Sequence, residues 1–100
     1  MNYFSSNIKI LRERQQKKKA AIAAAIGVHP TYISKLEGRT YNPASSMLID
    51  FSEHFKISID DLVTTDLSRL PENVLMDLQI AYILKKQKLK AFNNRRGVAA

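Results

Sequence analysis

The chain of 100 residues contains no cysteine, so neither disulfides nor thiolate metal sites are available to it. No apolar run approaches the roughly 18 residues needed to cross a bilayer, and the opening MNYFSSNIK lacks the apolar centre of a signal peptide. A soluble, cytoplasmic protein with no membrane partner is the expectation. Glycine-rich phosphate loops, nucleophiles paired with a base and metal-ligand clusters are all missing, which argues against an enzyme and predicts no metal and no cofactor. The two histidines, His29 and His54, fall on different expected helices and make no metal pair. Acidic residues are scarce too: 9 against 16 lysines and arginines leave a net charge of +7, which favours a polyanionic partner.

The positive charge is gathered at the two ends. Lys9, Arg12, Arg14 and Lys17 to Lys19 precede a short apolar stretch, and Lys85, Lys86, Lys88, Lys90, Arg95 and Arg96 lie near the C-terminus, while the acids concentrate between Asp50 and Asp77. Between the basic ends, residues 20–43 read AAIAAAIGVHPTYISKLEGRTYNP. Ile22, Ala23 and Ile26 share one helical face, and Ile33 and Leu36 share another. Gly27 between them supplies the left-handed backbone that ends a helix. Ala23 lets two helix backbones approach closely, and Pro30 suits a first helical turn, where its missing N–H is not needed. The spacing therefore predicts helix, tight turn, helix.

Other elements follow from the same rules. Ser5 or Ser6 is expected to cap a first helix to about Gln16, with Ile8 and Leu11 inward. A fourth helix from about Ser45 to Phe55 buries Met47, Leu48, Phe51 and Phe55. Ser58 followed by Asp61 resembles a capping box and opens a fifth, so Asp60 and Asp61 read as helix-start chemistry rather than as a catalytic pair. Residues 67–71 read as a linker closing a domain of residues 1–66. Residues 72–92 read as one more helix, apolar on nearly every side from Val74 to Leu84, which requires cover on more than one face. Val74, Leu75, Leu78 and Tyr82 are its expected dimerisation residues, with packing on the domain, or binding of a membrane or acidic partner through the basic stretch Lys85 to Lys90, as the alternatives. Residues 93–100 read as a basic, disordered tail.

Leu11-Arg12, Ile22-Ala23, Ile26-Gly27-Val28, Ile33-Ser34-Lys35-Leu36-Glu37 and Asn42-Pro43 together resemble the Cro and phage-repressor type of helix-turn-helix proteins, over roughly Ile8 to Thr65. The resemblance implies an all-α fold: a compact five-helix lambda-repressor-like DNA-binding domain, here with an additional C-terminal helix. It also implies that the third helix lies in the major groove. By position, Pro30, Thr31, Tyr32 and Lys35 would meet base edges, with Lys35 able to donate to guanine and Thr31 to touch a thymine methyl. Lys18, Lys19, His29, Arg39, Thr40, Tyr41 and Asn42 would meet phosphates. Arg12 and Glu37 would form a structural salt bridge.

This chain departs from the family pattern at three places. Lys17 replaces an apolar residue, Lys18 replaces the usual Ser or Thr cap of the second helix, and His29-Pro30 stands where two hydrogen-bonding residues are common. Fewer base donors point toward either a loose sequence preference or reading of DNA shape. The function expected is a dimeric, sequence-specific regulator of double-stranded DNA, a repressor by family type. The alternative is an antitoxin or adaptor whose C-terminal helix captures a protein partner, with DNA binding secondary.

Overall fold

The computed structural model describes residues 2–39 and 42–95, without the side chains of Asn94 and Arg95. Among these residues six α-helices follow one another: α1 (Phe4–Arg14), α2 (Lys19–Ile26), α3 (Pro30–Glu37), α4 (Ser45–Phe55), α5 (Ile59–Thr64) and α6 (Glu72–Arg95). A single 3-10 turn, Leu67–Arg69, joins the last two. No strand occurs among the described residues.

The first five helices wrap one core. Phe4, Ile8 and Leu11 recur along the inner face of α1, and Phe4 meets Phe51 of α4 edge-on at 5.4 Å between ring centroids. Ile33 and Leu36 from α3, Phe55 at the end of α4, and Ile57 and Leu62 beyond it are all essentially fully buried. Met47 and Leu48 flank this core, half-buried. Helix α4 ends as Lys56 takes a left-handed conformation (φ 60°), and the buried Ser52 hydroxyl donates to the Ile57 carbonyl at 2.6 Å, closing that corner from inside. Ser58 caps α5 by accepting the Asp61 N–H at 3.1 Å.

Helix α1 starts differently from the expectation. Neither Ser5 nor Ser6 caps it; the helix begins at Phe4, whose N–H donates to the Asn2 side chain at 2.8 Å, and Ser6 donates to the Tyr3 carbonyl instead. A second polar residue in α1 goes inward. Asn7 is fully buried, its amide donates to the carbonyls of Leu62 (2.8 Å) and Thr65 (2.6 Å), and its Oδ1 accepts the Leu67 N–H at 3.0 Å. One side chain thereby satisfies three backbone groups where α5 stops and the chain turns.

That arrangement removes the expected linker at 67–71. Leu67 is fully buried in the core, and Arg14 donates to the Leu70 carbonyl at 3.0 Å, so the segment belongs to the domain. Helix α6 is held by the same body. Leu75 is buried at 5 % exposure, Leu70 and Leu78 pack beside it, and Gln79 donates to the Phe55 carbonyl at 2.9 Å. Leu75 is therefore a core residue of its own chain, with Leu78 packed against that core, so the expected dimer contact at these two positions meets the chain's own domain first. Tyr82 is half-buried beside Ser52, Ser58 and Ile59, while Val74 lies at the exposed margin. The helix also runs on to Arg95, so Asn93 to Arg95 are not tail; residues 96–100 of the expected tail lie outside the described residues.

His54, on α4, packs its ring edge-on against Phe55 at 4.8 Å. Burial, and then the charges of Lys56 and Lys17, hold its pKa below the ordinary histidine value. Its neutral form is thus favoured in the folded chain, whereas the unfolded chain takes up the proton first as pH falls. Stability should be level above about pH 7 and decline as the pH drops through roughly 6.5 toward 5. Thermal unfolding of the wild type and of His54→Gln across that range checks this: the variant should show the shallower decline.

Candidate nucleic-acid interface

The centre of the site is the pair α2 and α3. Gly27 ends α2 in a left-handed conformation (φ 89°, ψ 35°), with its N–H and that of Val28 both donating to the Ala23 carbonyl. A Cβ on Gly27 would meet nothing within 4 Å. The glycine is required for its dihedral angles and not for space. Ile22 and Ala23 of α2 are buried with Ile33 and Leu36 of α3, so the two helices are locked through those four side chains.

Packing of Ile33 and Leu36 decides what α3 shows to solvent. Thr31, Ser34 and Gly38 are exposed and Lys35 is half-buried, and at about 100° per residue these four share the face opposite the core. Ser34 is a functional candidate that the motif-based reading overlooked. Its spacing of three residues from Thr31 was the available signal. Tyr32 is half-buried and packs on the core, so only part of its ring is open to a ligand. Pro30 occupies the first helical position, half-buried. His29 caps the helix: its Nδ1 accepts the Thr31 N–H at 3.1 Å, leaving Nε2 as the ring's donor.

Helix α2 has the opposite kind of start. Lys18 occupies the cap position with no side-chain hydrogen bond to the helix, and no acid lies in the first turn. Lys18 is exposed and Lys19 half-buried there, at the positive end of the helix dipole. An anion at this point would accept from the free N–H groups and from both lysines. Arg39 is exposed at the far end of α3 in a left-handed conformation (φ 62°), and Asn42 is exposed beyond it. Thr40 and Tyr41 lie outside the described residues.

Arg12 braces this assembly from behind. Its Nε donates to Glu37 Oε2 at 2.7 Å and its Nη2 to Oε1 at 3.0 Å, a bidentate pair in which the two side chains are only 13 % and 5 % exposed. The hydrogen bond to Glu37 raises the Arg12 pKa, with burial opposing it. Nη1 donates to the Lys17 carbonyl at 3.1 Å. The end of α3 and the lysine turn before α2 are fixed to the same guanidinium.

Among the described residues there is no group of three or more His, Cys, Asp or Glu side chains that could hold a metal ion. No described helix is long and apolar enough to cross a membrane.

Comparison with known proteins agrees with this geometry. A family model described as helix-turn-helix matches residues 8–62, from within α1 through most of α5. A crystal structure of a transcriptional regulator from Listeria innocua is similar in fold, with a TM-score of 0.60, 23 % identity and 95 % of each chain covered, so the likeness includes α6. No curated protein matches the chain.

Proposed function

The chain belongs to the Cro/C1-type helix-turn-helix family, and from that premise we propose that this DNA-binding regulator acts as a dimeric repressor, reading double-stranded DNA with α3 in the major groove. The observation that carries the reading is the outward face of α3, where exposed Thr31 and Ser34 flank Lys35. These side chains have the size and chemistry to meet base edges, lysine toward guanine and the small hydroxyl side chains toward either strand. Lys18 and Lys19, at the uncapped start of α2, supply phosphate contact, with Arg39 and Asn42 on the other flank. His29 contributes through Nε2, since Nδ1 is engaged. The cost of three adjacent lysines at a positive helix end is offset when phosphate binds there.

Direct base donors on this face are few, so shape and phosphate contact carry a large share of the recognition. Selection of bound duplexes from a random DNA pool tests the reading, since it reports binding, motif and symmetry together. Affinity should fall steeply with salt. Lys19→Ala should weaken every sequence and reduce the salt slope by roughly one unit. Thr31→Ala, Ser34→Ala and Lys35→Ala should instead alter base preference by about 1 to 3 kcal/mol per affected position. Absence of binding to any duplex at low salt would sink the proposal and favour the antitoxin or adaptor role, which draws on the exposed apolar face of α6.

Dimerisation belongs to the same proposal. The candidate contact residues are Met76, Ile80, Ile83 and Leu84, 40 to 57 % exposed, in place of the two leucines that the core has taken. A two-fold dimer predicts a near-palindromic operator with half-sites about one turn apart, ~34 Å.

A further inference from the structure

Helix α6 has two faces with different fates. Leu75, Leu78, Gln79 and Tyr82 lie within about 100° of arc on the side that meets the domain. Met76, Ile80, Ile83 and Gln87 fall within about 60° on an adjoining exposed side, centred about 120° around the helix from the first, with Leu84 at its outer edge and Ile83 and Gln87 bordering a cleft against Glu53 and Lys56. Their spacing of four, three and four residues is the seam spacing of paired helices. Apolar surface of this kind, continuous over several turns and open to water, marks a contact site.

The charges along α6 select the occupant. Glu72 and Asp77 occupy its N-terminal half, and Lys85, Lys86, Lys88 and Lys90 its C-terminal half. A parallel second copy would place the lysine clusters side by side with aligned helix dipoles. An antiparallel copy sets acid against base at both ends and opposes the dipoles.

We propose that two copies of this chain pair through α6 in antiparallel orientation, about a two-fold axis passing between Ala81 and Tyr82. Ile80 then lies against Ile83 of the partner subunit, and Met76 against Gln87 of the partner subunit. Asp77 and Lys88 share one flank of the seam, at about 100° and 120° from Met76, so Asp77 faces Lys88 of the partner subunit. Glu72 and Lys90 share the other flank and pair likewise. This register rests on the dimeric reading above and adds its orientation, its seam and its ion pairs.

The absence of native cysteine permits single-site labels. Nitroxides on Asn93→Cys and, separately, on Ala81→Cys should give an Asn93 pair about 35 Å apart, from twice the axial rise of ~1.5 Å per residue to the two-fold. The Ala81 pair should be short. Short distances at both sites mean a parallel dimer and overturn the register while leaving dimerisation standing. A monomer in sedimentation equilibrium overturns register and dimerisation together, with DNA binding assessed separately. Ile80→Asp should dissociate the dimer without loss of helicity; an unaffected dimer overturns the use of this face. Asp77→Lys should weaken association by on the order of tenfold, and adding Lys88→Asp should restore it. Failure of that restoration overturns the Asp77–Lys88 pairing.

Discussion

Arg12→Met should destabilise the domain by about 3 kcal/mol, whereas the double variant Arg12→Met/Glu37→Met should lie within about 1 kcal/mol of wild type. The single change leaves the Glu37 carboxylate, 5 % exposed, without the two donors that satisfy it. A charge so placed cannot recover its hydration, and the loss exceeds the net worth of the pair. Replacing both partners removes the charge as well as its counter-charge and returns apolar volume to the site. Urea unfolding of the four chains of this cycle measures it. Equal destabilisation in the single and double variants would mean that Arg12 acts through its other bond, to the Lys17 carbonyl.

The second large effect belongs to Asn7. Asn7→Leu keeps the same branched four-atom outline, somewhat enlarged, yet it strands two carbonyls and one N–H at a site without exposure. Each stranded buried group costs roughly 1 to 3 kcal/mol. The sum should be about 4 kcal/mol, which in a domain of this size lowers Tm by roughly 15 to 30 °C. Far-UV circular dichroism melts check the value. A fall of only a few degrees would show that the corner between α5 and the 3-10 turn re-forms its bonds elsewhere. Asn7→Ser, which keeps a single hydroxyl, should be intermediate.

Asn7 also marks a limit of what the amino-acid pattern reveals. A lone amide among Phe4, Ile8 and Leu11 reads as a surface residue, because its partners are backbone groups nearly sixty positions away. The same blindness affects Leu67: one leucine in a short polar segment has no period, so nothing local announces that it fills the core. By contrast, the all-helical fold and the helix-turn-helix motif were legible. Gly27, Ser58 and the apolar stripes act within a few residues of themselves, where spacing carries the information.

Helix α6 lay between these cases. The helix itself is legible, but apolar residues on all sides give no preferred direction, and the pattern cannot show that Leu75 and Leu78 lie toward their own domain. Contacts with distant residues, the core around Leu75 and the Phe55 carbonyl that takes the Gln79 amide, decide which side is inward. On α3 the miss was smaller. Ser34 belongs to the family signature, and its place on the outward face follows only from its lying one turn after Thr31.

The three-way grip of Arg12 bears on the thermodynamics of recognition. Because one guanidinium ties the end of α3 to the backbone preceding α2, the helix proposed to face the bases and the lysines beside it are held in fixed relation before any DNA arrives. Little ordering entropy then remains to be lost at these two places on binding. Calorimetry should accordingly show a heat-capacity change that tracks the surface buried, without the excess expected of coupled folding.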